Sequence, residues 1–257
     1  MLLKIEHLSV KVKGNEQAKP ILRDVSLEIP AESIVALVGG SGSGKTTIAL
    51  AITRLLSPAL EISQGKIIFQ QKDILAYPLA RLQKLRGKDI GMVFQEPLYA
   101  FNPVYRIGFQ VEEVLKYHTP LNQRERREKI LELFNKTGLT DPLRITRSYS
   151  HQLSAGMRQR AMIAQAVALG PRLIIADEPT SNLDVTIQAK IMDLFRQLKE
   201  ELKLSILLIT HDLGMVSHLA DQVAVMKEGS VVEKGITRDI LQNPRHMYTR
   251  QLMEASI

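Results

Sequence analysis

Residues 34–47 read IVALVGGSGSGKTT, from Ile34 to Thr47. The unbroken apolar run Ile34 to Val38 suits a strand buried on both faces, as in a parallel sheet covered by helices. Gly39, Gly44, Lys45 and Thr46 then fit the spacing G-x4-G-K-[ST]. Glycine lets backbone N–H groups close around phosphate oxygens where a side chain would collide. The loop made of Gly39, Gly40, Ser41, Gly42, Ser43, Gly44, Lys45, Thr46 and Thr47 is therefore read as a grip for a nucleoside triphosphate. Lys45 supplies charge for the β- and γ-phosphates, and Thr46 offers a hydroxyl to Mg²⁺. The helical run that follows, Thr46 through Leu56, aims its positive dipole end at the same place. ATP with magnesium is the expected ligand pair.

Outward from this stretch the pattern alternates between strands and helices. Leu3, Ile5, Leu8, Val10 and Val12 alternate as a strand, and Val25, Leu27 and Ile29 as another, ended by Pro30. Strands are also predicted to start at Gly65, running to Phe69, and over Ile90 to Phe94. Asn122 is placed to cap a helix, with Glu125 three residues on, Gly138 at the far end, and Ile130, Leu131 and Phe134 as its apolar face. Another helix is predicted from near Ser154 through Ala168. Leu173 to Ala176 and Ser205 to Ile209 read as buried strands. A hairpin follows over Val223 to Gly235, then a short helix over Thr237 to Gln242. The alternation argues for an α/β core with a largely parallel sheet.

Chemistry gathers at the ends of these strands, where ligands of open α/β sheets bind. In LIIADE, Leu173 to Glu178, two carboxylates follow four apolar residues. Asp177 is placed to hold Mg²⁺ through water, and Glu178 to orient and deprotonate an attacking water. Gln95 follows IGMVF, and His211 follows SILLIT. In LSAGM, Ser154 and the backbone N–H of Gly156 open a helix and form a second anion site, with Ser154 also able to act as N-cap. One nucleotide needs one phosphate loop, so this second element suggests a nucleotide held by another subunit.

The bulk numbers bound the rest. The chain has 257 residues, 45% hydrophobic and 24% charged, without cysteine, so disulfides and thiolate metal sites are excluded. Neither a secretory signal nor an apolar run long enough to cross a bilayer is read in it, which makes the cytoplasm the expected compartment. The net charge of +7 is read as a solvated surface. Its densest basic run, Arg124, Arg126, Arg127 and Lys129, is interleaved with Glu125, Glu128 and Glu132, the pattern of paired charges on a helix and not of a nucleic-acid stripe.

Taken in order, GGSGSGKTT, Gln95, LSAGMRQR, LIIADEP, SNLD at 181–184 and TH at 210–211 strongly resemble the nucleotide-binding subunit of ABC transporters. The resemblance spans nearly the whole chain. It implies a P-loop NTPase fold of the ABC cassette type. An N-terminal antiparallel β part would accompany an ATPase core of residues 1–95 and 166–257, with an inserted helical signature subdomain at 96–165. It implies head-to-tail cassette pairs in which one subunit's phosphate loop faces the other's Ser154 and Gly156. Asp184 would signal between the two sites, His211 would contact the γ-phosphate, and Gln95 would contact magnesium alongside Thr46 and Asp177. The implied partners are a second ABC ATPase, expected to be a different chain, and two membrane permeases. An extracytoplasmic solute-binding protein would act indirectly, and nucleic acid would not be a partner. The implied place is the cytoplasmic face of the membrane.

Within that family, VFQEPLYAFNPV at 93–104, LSAGMRQRAMIA at 153–164 and NPRHMYTRQL at 243–252 resemble the peptide and nickel importer group. Gly39-Gly40 and the end at Ile257 resemble nickel-uptake members, so nickel, another metal or peptide is the expected cargo. Two departures stand out. Val12 occupies the place of an adenine-stacking aromatic, which predicts modest ATP affinity, and Ala155 replaces the usual signature glycine. The rival reading is a soluble ABC ATPase of DNA repair or chromosome organisation. Such chains carry long coiled coils, and the stretch between Gln95 and Ser154 holds no sustained heptads.

Overall fold

The computed structural model describes residues 1–14 and 19–254; Ile257 lies outside them. In chain order the elements are β1 (Leu3–Val12), β2 (Leu22–Ile29), β3 (Ile34–Gly39), α1 (Lys45–Thr53), β4 (Leu60–Phe69), β5 (Lys72–Asp73), α2 (Leu79–Lys88) and β6 (Ile90–Val93). There follow α3 (Pro97–Ala100), α4 (Ile107–His118), α5 (Gln123–Lys136), α6 (Pro142–Arg147), α7 (Ala155–Val167), β7 (Leu173–Asp177) and α8 (Val185–Leu202). The chain closes with β8 (Ser205–Thr210), α9 (Leu213–Leu219), β9 (Gln222–Lys227), β10 (Ser230–Ile236), α10 (Thr237–Gln242) and α11 (Met247–Glu254). It divides into two compact units, Met1–Gln83 with Lys203–Ile257, and Lys84–Leu202.

The first unit holds an antiparallel sheet in the order β2-β1-β4-β5. It also holds β3 flanked by parallel β8 and β9, with β10 antiparallel outside β9. All six residues of β3 and all six of β8 are buried, as expected of strands covered on both faces. The register sets Val38 beside Thr210 and Gly39 beside Met226, so the turns after β3 and β8 emerge at the same edge.

Of the boundaries that differ from the sequence reading, two have a clear local cause. The first helix stops at Thr53 and not near Leu56, because Arg54 turns into the left-handed region (φ 51°) and caps it. The strand expected to start at Gly65 begins at Leu60 and runs through that glycine. At Gly65 φ is +100° and an added Cβ would lie 2.6 Å from the Leu8 Cα, so glycine there permits a close strand approach instead of marking an end. The β1–β4 register shifts between Glu6 and Ser9, beside that contact.

The second unit holds the parallel pair β6–β7 and the helices α3 to α8. Its core is built on Phe101, Phe134 and Phe195, all fully buried. Asn122 and Glu125 form a reciprocal capping box at the start of α5. The buried face of that helix is Ile130, Leu133 and Phe134; Leu133, three residues after Ile130, takes the inward place expected of Leu131. The basic run pairs as expected. Arg124 meets Glu128 at 2.9 Å and Lys129 meets Glu132 at 2.9 Å on the exposed face, while Arg126 reaches Glu112 of α4 at 3.0 Å. Exposed pairs of this kind contribute little to stability.

Candidate functional site

The glycine loop of the first unit is shaped by contacts that leave no room for a side chain at Gly39 or Gly44. A Cβ on Gly39 would run into the Met226 carbonyl group, and one on Gly44 (φ +101°) would lie 2.7 Å from Leu22 Cδ2. Gly42 also has positive φ, +75°. Gly44 caps α1, and its carbonyl accepts from the Ile48 N–H at 3.1 Å. The loop is braced from behind by the two-residue turn of the β9–β10 hairpin. Glu228 and Gly229 both have positive φ there. The Gly229 N–H donates to the Ser43 carbonyl at 3.0 Å, and its carbonyl accepts from the Arg23 N–H at 2.8 Å. The sequence reading found this hairpin without connecting it to the loop.

Lys45 is 7% exposed and folds back over the loop. Its ammonium donates to the carbonyls of Gly39 (2.9 Å) and Gly40 (3.0 Å), with Ser43 Oγ at 3.5 Å. Thr46 is exposed at the first turn of α1 and Thr47 half-buried behind it; Ser41 is exposed on the loop. In the same unit His211 is exposed on the turn after β8. The next residue, Asp212, fixes that turn: its N–H donates to Thr210 Oγ1 (3.1 Å), and its Oδ1 accepts from the Met215 N–H (3.0 Å), capping α9. Val12, the residue standing in for an aromatic, closes β1 at 36% exposure.

In the second unit Asp177 ends β7 and is 3% exposed. Glu178, half-buried, has φ of 47°, a conformation that costs a non-glycine residue and so needs support. Ser181 supplies part of it. Its Oγ donates to the Glu178 carbonyl (3.0 Å) and lies 3.2 Å from the Gln95 carbonyl, while its N–H reaches the Glu178 carbonyl at 3.1 Å. Gln95, exposed after β6, is thereby tied to the turn that carries Glu178. Asn182 adds a bond from Nδ2 to Glu96 at 2.7 Å. The reading from sequence quoted Ser181 within SNLD at 181–184 but gave it no task of its own.

Ser154 caps α7, its Oγ accepting from the Met157 N–H at 3.3 Å. Gly156 packs on Ile187, with an added Cβ falling 3.0 Å from Ile187 Cγ2. The Ile187 N–H in turn donates to Asp184 Oδ1 at 3.0 Å. Ser154, Gly156 and Asp184 thus belong to one connected patch whose rim includes the exposed Val185.

Each unit by itself carries donors that suit a nucleotide with magnesium. The loop of the first unit offers a buried ammonium and backbone amides, with glycines where a Cβ at 39 or 44 would collide with Met226 or Leu22. Thr46 in the first unit, and Gln95 and Asp177 in the second, each carry a hard oxygen donor of the kind Mg²⁺ takes. Among the described residues no group of three or more His, Cys, Asp or Glu is gathered for a metal.

The comparisons with known proteins point the same way. The family model described as "ABC transporter" matches residues 22–181. The peptidoglycan transport ATP-binding protein YejF of Agrobacterium fabrum is 44% identical over 255 residues, 99% of this chain and 47% of that protein. The chain thus spans about half the length of that relative. It spans more of the oligopeptide transport ATP-binding protein OppD of Lactococcus lactis subsp. cremoris, 40% identical over 99% of this chain and 75% of OppD. A putative peptide import ATP-binding protein of Brucella ovis is 42% identical, over 99% of this chain and 77% of its own. Among solved structures, the dimeric post-hydrolysis state of the ATP-binding cassette MJ0796 bound to ADP and Pi superposes with a TM-score of 0.82. It is 29% identical and covers 92% of this chain and 99% of that one. The structure of cbiO1 from Clostridium perfringens, part of the ABC transporter complex cbiONQ, gives 0.79 at 27% identity, covering 100% and 99%.

Proposed function

The chain belongs to the ABC transporter family, whose cassettes bind ATP with Mg²⁺ and hydrolyse it, and we propose that it is the ATPase subunit of an importer of peptides. The observation that carries the cargo is the peptide or oligopeptide transport named for its relatives, at 40–42% identity across nearly the full chain. Nickel was the other cargo suggested by Gly40. That glycine has a local reason in this fold, since a Cβ on it would lie 3.2 Å from the Tyr248 hydroxyl. Peptide is therefore the reading put first.

In this proposal each residue has a defined task. Lys45 and the amides of the 39–47 loop hold the β- and γ-phosphates. Thr46, Gln95 and Asp177 supply oxygens to magnesium, whose charge offsets that of the phosphates. Glu178 orients a water and takes its proton, and His211 donates to the γ-phosphate. Ser154 and Gly156 serve a nucleotide held by a second cassette, a different chain, with Asp184 communicating between the two sites. The helical subdomain at 96–165 faces two permeases on the cytoplasmic side of the membrane. It is suited to that by large exposed apolar side chains at Leu98, Tyr99 (84% exposed), Val104, Tyr105 and Phe109. Among the described residues no helix is long and apolar enough to cross a membrane, so membrane attachment in this scheme is peripheral. A solute-binding protein acts through the permeases.

The test is reconstitution in vesicles with the second cassette and the permeases. Peptide-loaded binding protein should stimulate ATP hydrolysis and drive peptide uptake. Stimulation by nickel alone would replace the cargo, and hydrolysis indifferent to permeases would favour the non-transport reading. A second expectation concerns adenine. Val12→Tyr gives the base a ring to stack on, about 1–3 kcal/mol on the scale of base–aromatic contacts, hence about fivefold tighter ATP binding or better. An unchanged dissociation constant in a fluorescent-ATP titration would show that Val12 does not face the base.

A further inference from the structure

We propose that Tyr248, in the C-terminal helix α11, is a positioning residue for the phosphate loop. The case rests on a single peptide plane. The N–H of Gly40 donates to the Tyr248 hydroxyl at 3.0 Å. The carbonyl of the same peptide unit, that of Gly39, accepts from the Lys45 ammonium at 2.9 Å. Because the unit is planar, its N–H and C=O turn together. A hydroxyl fixed on one side therefore sets the direction of the carbonyl that holds Lys45 on the other. This inference deepens the reading of the loop as an ATP site and rests on it.

Tyr248 is itself held in place, which a positioning residue must be. Its ring is half-buried against the cluster that includes Val38, Val225 and Ile240, and Lys227 Nζ sits 4.8 Å from the ring centroid. The entry to α11 is clamped by Glu233 of β10, which accepts the backbone N–H groups of Arg245 (2.8 Å) and His246 (3.1 Å). Burial pushes the Glu233 carboxyl up. The neighbouring Thr249 side chain and the N–H bonds from Arg245 and His246 outweigh that and hold it below the usual carboxylate range. His246 Nδ1 then accepts the Tyr248 N–H at 3.1 Å. The segment 243–252, which matched the peptide and nickel group by its residues alone, thereby acquires a physical task at the nucleotide site.

The hydroxyl and the ring separate cleanly in a test on the full chain with fluorescent ATP. Tyr248→Phe keeps the ring, its packing and its contact with Lys227, and removes the one hydrogen bond. It should raise the dissociation constant about threefold to tenfold and lower the thermal melt by no more than about 2–4 °C, since the Gly40 N–H loses its partner. A purely structural tyrosine would give that small fall in melting temperature with wild-type affinity. Gly40→Ala should weaken binding too, because its Cβ would crowd the hydroxyl at 3.2 Å. In the Tyr248→Phe background that crowding is gone, so the two losses should combine to less than their product. Wild-type affinity in Tyr248→Phe, or losses that simply multiply, would overturn the proposal. Failure of the wild-type chain to bind fluorescent ATP would instead remove the reading of the loop on which the proposal stands.

Discussion

Glu178→Gln should leave ATP binding intact and lower turnover by about a hundredfold to ten-thousandfold, the span attributed to a positioned general base. Glutamine has nearly the shape of glutamate and can still orient a water, but it cannot take its proton. The backbone of the residue, with φ of 47° and its carbonyl bonded to the N–H and Oγ of Ser181, does not depend on the carboxylate. Hydrolysis by the reconstituted cassette pair and fluorescent-ATP binding would be measured side by side. Turnover within a few-fold of wild type would remove Glu178 from the role of base.

The same residue shows how legibility divided. Asp177 and Glu178 could be singled out because they follow LIIA, four apolar residues whose burial on a strand is set by composition alone. The glycine loop was legible for a similar reason, since the spacing of its glycines, lysine and threonine encodes a backbone path within a few residues, even though the atoms that crowd Gly39 and Gly44 come from Met226 and Leu22. Helix capping at Asn122, Ser154 and Asp184 is also local, and the first two were read as caps. What escaped the sequence depends on neighbours far along the chain. Ser181 reaches Gln95 across 86 positions, and Gly40 reaches Tyr248 across 208. No periodicity carries such pairings. Gly65 misled for a related reason, because a glycine demanded by the approach of Leu8 looks the same in sequence as one that starts a strand. The end of α1 was missed because arginine at position 54 gives no warning of a left-handed residue, which is more often glycine or asparagine.

Lys45→Ala should all but abolish ATP binding and also loosen the loop without nucleotide. The ammonium is almost fully buried and donates to the carbonyls of Gly39 and Gly40. Those bonds hold the ammonium within the loop, where phosphate oxygens would compete with the carbonyls for it. A charge-assisted hydrogen bond contributes about 1.5–3 kcal/mol, and removing one or two of them predicts at least a tenfold rise in the dissociation constant and as much as a thousandfold or more. Two carbonyls that lose a charged donor also lose stability, so the melting temperature should fall as well. Arginine is not a substitute here, because its planar fork needs room that a loop closed around a compact ammonium does not offer. Lys45→Arg should therefore resemble Lys45→Ala in affinity. The measurement is a fluorescent-ATP titration beside a thermal melt on each variant. Affinity within threefold of wild type in Lys45→Ala would mean that the glycine amides alone carry the phosphates. Recovery in Lys45→Arg would mean that charge, and not the fit of an ammonium between Gly39 and Gly40, is what the loop requires.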